Sequence, residues 1–122
     1  MTDTAFNSLA VMAENAIAQH AVARRHLVDV STTLANLERQ RSDRKMAAIL
    51  RMCQAENPAT PSKPFSASQA ADFAQLDPEY AKYKLQVQNF GLAKLEAEIE
   101  LESARLTAEL RIALVKLEGG LR

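Results

Sequence analysis

The sequence predicts an all-α protein, built as a long antiparallel helical hairpin or coiled coil with a proline-rich turn. Ala accounts for 22 of the 122 residues, and Ala has the highest helix propensity of all residue types. Three of the four prolines lie together near the middle of the chain, where they would interrupt a helix. Apolar residues recur at helical spacing on both sides of this stretch. The single cysteine excludes an internal disulfide scaffold, and the low aromatic content argues against a β-sandwich.

The first arm of the predicted hairpin, about residues 4–56, contains neither Gly nor Pro. This composition favours one helix of about 50 residues, which would be about 75 Å long. The apolar pattern fails over residues 38–45, where no side chain is apolar. Either the helix bends or breaks near Ser42 and Asp43, or it continues and changes neighbours. We favour the continuous helix.

An apolar seam runs along the first arm at alternating steps of three and four residues. It consists of Phe6, Leu9, Ala13, Ala16, His20, Ala23, Leu27, Val30, Leu34 and Leu37. This spacing corresponds to the a and d positions of successive heptads, which is typical of a coiled coil. Ala at these positions permits close helix approach but buries little area, and burial contributes only about 25 cal/mol per Å². The N-terminal part of the seam is therefore predicted to need more than one partner helix.

The turn is assigned to residues 57–66, which contain Pro58, Pro61 and Pro64. Proline lacks an amide donor and shifts the preceding residue away from the helical conformation. A stiff hairpin tip is the expected role of this segment. Its three-residue proline spacing also matches one edge of a polyproline II ligand.

The second arm, about residues 67–118, is predicted to contain two helical segments. Ser66 is a candidate N-cap for a short first segment. Asp77, Pro78 and Glu79 then form a typical helix start, with an N-cap, a proline at the first helical position and an acid in the first turn.

Glycines mark two further places in the second arm. Gly119 and Gly120 are predicted to end the helix after Glu118. Gly91 lies in the helix interior, where Gly costs about 1 kcal/mol relative to Ala. We expect another helix to cross closely at Gly91.

A Leu-rich stripe follows the second arm with a different period. Its members are Leu95, Ile99, Leu106, Leu110, Leu117 and Leu121. They are spaced four, seven, four, seven and four residues apart, which is an eleven-residue repeat and predicts a nearly straight or slightly right-handed packing path. A heptad arm and an arm with this repeat do not coil around each other ideally. At least one of the two stripes is therefore predicted to pack against other chains.

A basic stretch is the strongest candidate for a polar partner surface. It consists of Arg39, Arg41, Arg44, Lys45 and Arg51. Such a cluster can bind phosphates or an acidic protein. The stretch also contains Glu38 and Asp43 and has no interleaved aromatic residue, so a solvated helix face is the alternative.

The densest acidic run is Glu96, Glu98, Glu100 and Glu102. Residues two apart on a helix point to different sides, so we expect ion pairs or a solvated face. A hairpin folded about residue 62 would place this run beside Arg24 and Arg25.

No residue pattern points to catalysis. His20 and His26 lack the i, i+4 spacing of a helical metal pair, and Cys53 lies on an apolar stripe. The sequence contains no phosphate loop, nucleophile elbow, zinc spacing or dinucleotide fingerprint. We therefore expect no enzyme activity, no cofactor and no metal. The net charge of the chain is zero. We expect a protein without a transmembrane segment. We also expect it to be cytoplasmic, or exported without a cleavable signal peptide.

The segment SLAVMAENAIAQHAVARRH, residues 8–26, resembles the Reb proteins that assemble bacterial R-bodies. The similarity centres on an E-N-A-[IV]-A core, here Glu14 to Ala18. This resemblance implies a self-assembling structural protein. It provides no catalytic residues.

Together these patterns predict a single helical-hairpin domain, residues 1–122, that acts as a non-enzymatic structural or scaffold subunit. It would self-assemble as a homo-oligomer through coiled-coil helix packing. One alternative is an adaptor or chaperone-like module that binds a partner helix. Another is a nucleic-acid-binding protein that uses the basic stretch 39–51.

Overall fold

The computed structural model describes residues 3–54 and 66–121, and these residues form four α-helices and a one-turn 3-10 helix. The elements are α1 (Asp3–Arg39), α2 (Arg41–Gln54), α3 (Ala67–Phe73), the 3-10 helix (Ala74–Leu76) and α4 (Pro78–Leu121). The described residues contain no β-strand, which confirms the all-α prediction. The pairing of α1 with α4 fits a helical hairpin. The three clustered prolines lie outside the described residues.

The first arm is interrupted at Gln40, so the favoured continuous helix is wrong. The Gln40 amide donates to the Leu37 carbonyl at 3.1 Å, a tighter i to i−3 hydrogen bond than the α-helix uses. The Tyr83 hydroxyl also donates to this carbonyl. Arg44 donates from Nε and Nη2 to Gln40 Oε1, at 3.2 and 3.1 Å. These contacts give the turn stable hydrogen-bond partners.

Both predicted helix starts in the second arm are confirmed. Ser66 caps α3 through a capping box: its side chain accepts from the Gln69 amide, and Gln69 Oε1 accepts from the Ser66 amide, each at 3.2 Å. Asp77 caps α4, since its Oδ2 accepts from the Tyr80 amide at 2.9 Å. Pro78 is the first helical residue.

The expectation that the two C-terminal glycines end α4 is wrong. Helix α4 continues through Gly119 and Gly120 to Leu121, and neither glycine has a positive φ. A methyl group at Gly119 would lie 3.6 Å from the Phe6 ring, so this turn of α4 packs on α1. Within residues 3–54 and 66–121 no helix crosses closely at Gly91, because a methyl group there would meet no atom within 4 Å.

Contacts divide the chain into two units. Unit 1 comprises Met1–Ser31 and Leu92–Arg122, and unit 2 comprises Thr32–Gly91. None of the described helices is both long and apolar enough to cross a membrane.

In unit 1, α1 and α4 run antiparallel. Phe6 packs beside Gly119, and Met12 Sδ accepts a hydrogen bond from Arg111 Nη1 at 3.2 Å. The order of these contacts along the two helices requires opposite directions.

In unit 2, the core is a small cluster around two tyrosines. Tyr80 and Tyr83 stack with their ring centroids 6.1 Å apart, together with Ala48 and Ala74. Leu37, Ile49 and Val87 pack against this cluster. The cluster packs the end of α1 and the middle of α2 against the start of α4.

Candidate assembly surfaces

The predicted apolar seam of α1 faces inward along its whole length. Ala13, Ala16, Val30 and Leu34 are buried. The other members are half-buried, namely Phe6, Leu9, His20, Ala23, Leu27 and Leu37. The seam therefore forms the internal face of α1.

Helix α4 also has an inward face with alternating steps of three and four residues, which the sequence reasoning missed. Its buried or half-buried members include Tyr80, Tyr83, Val87, Phe90, Ala97, Leu101, Ala104, Ala108 and Val115. The sequence contains this spacing, but two of the inward positions are occupied by the charged residues Lys94 and Arg111. The Leu-rich stripe is uniformly apolar and is therefore easier to recognise.

The Leu-rich stripe lies on the opposite side of α4, and its members from Leu95 to Leu117 are exposed. The side chain of its last member, Leu121, lies outside the described part of the chain. In unit 1 this surface, which we call the α4 outer stripe, consists of Leu92, Leu95, Ile99, Leu106, Leu110 and Leu117. Their exposed fractions range from 53% at Leu106 to 70% at Ile99. Scattered exposed apolar residues are ordinary in proteins, but a continuous row of large ones is typical of an interaction surface.

The side chains that unit 1 buries completely are therefore mostly small, whereas the exposed row on α4 consists of large apolar side chains. The buried residues of unit 1 are mostly alanines, such as Ala16 and Ala97. Hydrophobic stabilisation scales with the apolar area removed from water, so an alanine interior contributes little. The larger apolar area of α4 is available to a partner.

A second apolar surface of unit 1 lies beside the α1 seam, where α1 meets α4. A shallow groove of 570 Å³ is lined by Ala18, Gln19, Val22, Ala23, His26 and Glu100. His26 is thus exposed at the groove and is not part of the α1 seam. Val22 is the largest apolar side chain in the groove, and it is exposed.

The basic stretch does not form one free surface. Arg51 binds Asp77 through two hydrogen bonds, from Nε to Oδ1 at 3.0 Å and from Nη2 to Oδ2 at 2.7 Å. Its Nη1 lies 3.2 Å from Glu79 Oε2. The Arg51 guanidinium, together with the Tyr80 amide, lowers the pKa of the Asp77 carboxyl although burial opposes this shift. Arg51 therefore ties α2 to the start of α4.

Other cations of the stretch also have partners within the chain. Arg44 lies over the Tyr83 ring, with 5.6 Å between its Cζ atom and the ring centroid. Arg39 donates to Asn36 at 3.3 Å. Arg41 and Lys45 are exposed, and Arg41 lines a groove beside the tyrosines. The aromatic residues that the sequence lacks within the stretch are thus supplied by α4.

The acidic run of α4 is exposed at all four positions, from Glu96 to Glu102. Its ion pair lies within the helix, where Arg105 binds Glu102 and also Glu109, the latter at 2.6 Å. Both carboxylates raise the pKa of Arg105, and Arg105 lowers the pKa of Glu102. On α1, the Nη2 atom of Arg24 lies 3.5 Å from Nδ1 of His20.

No group of three or more His, Cys, Asp or Glu side chains in residues 3–54 and 66–121 is arranged to hold a metal ion. Cys53 is a half-buried free thiol. Comparison of the chain with protein-family models, curated proteins and solved structures found no match.

Proposed function

We propose that this protein is a non-enzymatic structural or scaffold subunit that self-assembles through coiled-coil packing of its helices. The α4 outer stripe is the observation that carries the proposal. It is long, apolar and exposed, and exposed apolar patches of this kind commonly mark protein interfaces.

The packing inside unit 1 supports the same function. The α1 seam and the inward face of α4 already use one apolar side of each helix. The α4 outer stripe is therefore additional to what the contact between α1 and α4 uses. A helix with apolar residues on two sides is typical of a helix with neighbours on two sides.

Size-exclusion chromatography of a stripe variant tests this proposal. Leu106→Ser together with Leu110→Ser removes two exposed apolar side chains from the stripe. We expect the wild-type chain to elute as an oligomer and the variant to elute as a single chain. Circular dichroism checks that both remain helical.

Leu50→Ser together with Leu76→Ser is the matched control. These leucines are 55% and 70% exposed but lie in unit 2. We expect the control to elute with the wild type. A stripe variant that elutes with the wild type would contradict the proposed role of the stripe.

A partner-binding adaptor is the second candidate function, and the groove on α1 favours it. The groove is largely apolar in its lining and lies on an exposed helix side, as in proteins that bind an amphipathic helix. A wild-type chain that stays monomeric would favour this function over self-assembly.

A further inference from the structure

We infer that two copies of this chain pair through their α4 outer stripes in antiparallel orientation, about a twofold axis near residue 108. This inference rests on the proposed self-assembly and adds its orientation and register. The occupant of the stripe is thus a second copy of the same stripe. Twofold pairing through identical surfaces is the commonest form of homo-oligomer.

The spacing of the stripe is the first reason. Ile99, Leu106, Leu110 and Leu117 are spaced seven, four and seven residues apart. This pattern reads the same in both directions about residue 108. In an antiparallel pair, Ile99 therefore comes level with Leu117 of the second copy, and Leu106 comes level with Leu110 of the second copy. Each large apolar side chain meets another.

The eleven-residue repeat allows this contact to continue over several helical turns. At 3.67 residues per turn, this repeat keeps the stripe nearly parallel to the helix axis. Two such stripes can stay in contact over several turns with little supercoiling. The inward alanines, such as Ala97 and Ala108, lie on the other side of α4 and remain packed in unit 1.

Charges beside the stripe are the second reason. One flank carries Glu98, Glu102, Arg105, Glu109 and Lys116, spaced four, three, four and seven residues apart. Antiparallel helices bring the same flank of both copies together. In the inferred register, Lys116 then lies between the levels of Glu98 and Glu102 of the second copy. Arg105 lies near the level of Glu109 of the second copy and can bridge the two Glu109 side chains, which also come near the same level.

A parallel pair would bring more like charges together and fewer opposite charges. Parallel helices bring one flank against the other flank, so Glu98 and Glu102 would face Glu96 and Glu100 of the second copy. Like charges beside an apolar seam disfavour that orientation. The antiparallel pair also has one unfavourable flank, where the half-buried Glu118 comes level with Glu96 and Glu100 of the second copy. Its ion pairs form on the other flank, which carries Lys116 and Arg105.

Disulfide cross-linking tests the orientation. Cys53→Ser removes the single native thiol, and Ile99→Cys or Leu117→Cys then introduces one thiol into each of two chains. We expect co-expressed Ile99→Cys and Leu117→Cys chains to form a cross-linked dimer on mild oxidation. We expect Ile99→Cys alone not to cross-link, because the two identical sites would be about 27 Å apart along the axis.

Co-expression of Ile99→Cys with Leu106→Cys is the matched control. In the inferred register these two sites are separated by about 16 Å along the axis, so we expect no cross-link. Efficient cross-linking of Ile99→Cys alone would overturn the antiparallel orientation. An assembled sample in which Ile99→Cys and Leu117→Cys fail to cross-link would overturn the register.

Light scattering on the same samples separates the two proposals. If the chains form oligomers but cross-link in a pattern other than the expected one, this inference is contradicted and the proposed self-assembly is not. Chains that stay monomeric contradict the proposed self-assembly itself, and the pairing with it.

Discussion

At the scale of single residues, the contact between Arg51 and Asp77 connects two separate parts of unit 2. Asp77 was predicted from the sequence as the N-cap of a helix, because an acid before Pro-Glu is a local pattern. Its second role was not predictable in this way. The guanidinium that it binds belongs to a residue 26 positions earlier, and this proximity exists only after α2 packs near α4.

The lowered pKa of Asp77 predicts a pH-dependent contribution to stability. A carboxyl whose folded pKa lies below its ordinary value of 3.8 stabilises the fold above that pH. The contribution is lost as the pH falls through the folded pKa. Asp77→Asn keeps an N-cap acceptor but removes the charge that binds Arg51. We expect the variant to have a lower free energy of urea unfolding than the wild type at pH 7.

We expect the wild type and Asp77→Asn to differ less in the free energy of unfolding at a pH below the folded pKa of Asp77. Both measurements need one protein concentration, since assembly affects apparent stability. Glu79→Gln is the control, because Glu79 is 71% exposed and contacts the same arginine. An equal loss in Asp77→Asn at both pH values would show that the charge of Asp77 is not responsible.

At the scale of elements, α4 has two apolar faces with different composition. The outer face consists of large aliphatic residues and was identified from the sequence. The inner face mixes tyrosines and alanines with Lys94 and Arg111, so composition concealed its regular spacing. A break in this region was one of two alternatives from the sequence, but the sequence could not select it, because the Tyr83 hydroxyl that supports it comes from another helix.

Gly91→Ala tests the local structure of α4. Gly91 has a helical backbone, and a methyl group there would meet no atom within 4 Å. We expect the substitution to raise the free energy of unfolding by about 1 kcal/mol, because Ala has the higher helix propensity. Urea unfolding followed by circular dichroism measures this change.

Gly120→Ala is the matched control for this substitution. Its position is also open but lies in the last turn of α4, where helix ends fray. We expect a smaller gain there. A loss of stability in Gly91→Ala would instead indicate that a helix of another copy crosses closely at Gly91.

At the scale of the whole molecule, the sequence predicted the helical class, the α1 seam and both helix starts of the second arm. These features depend on local propensity, capping and periodicity, which the sequence contains directly. It did not predict that the fully buried positions of unit 1 are mostly alanines while the leucines of the α4 outer stripe are exposed. That choice depends on which helix faces pack together, and a pattern on one helix does not specify its neighbour.

We propose that the α4 outer stripe makes this protein a self-assembling subunit. Multi-angle light scattering of the wild-type chain, across a series of protein concentrations, measures the mass of the assembly that this claim requires. We expect a mass that is an even multiple of one chain and that decreases on dilution as pairs dissociate. The mass of a single chain at every concentration would contradict the claim.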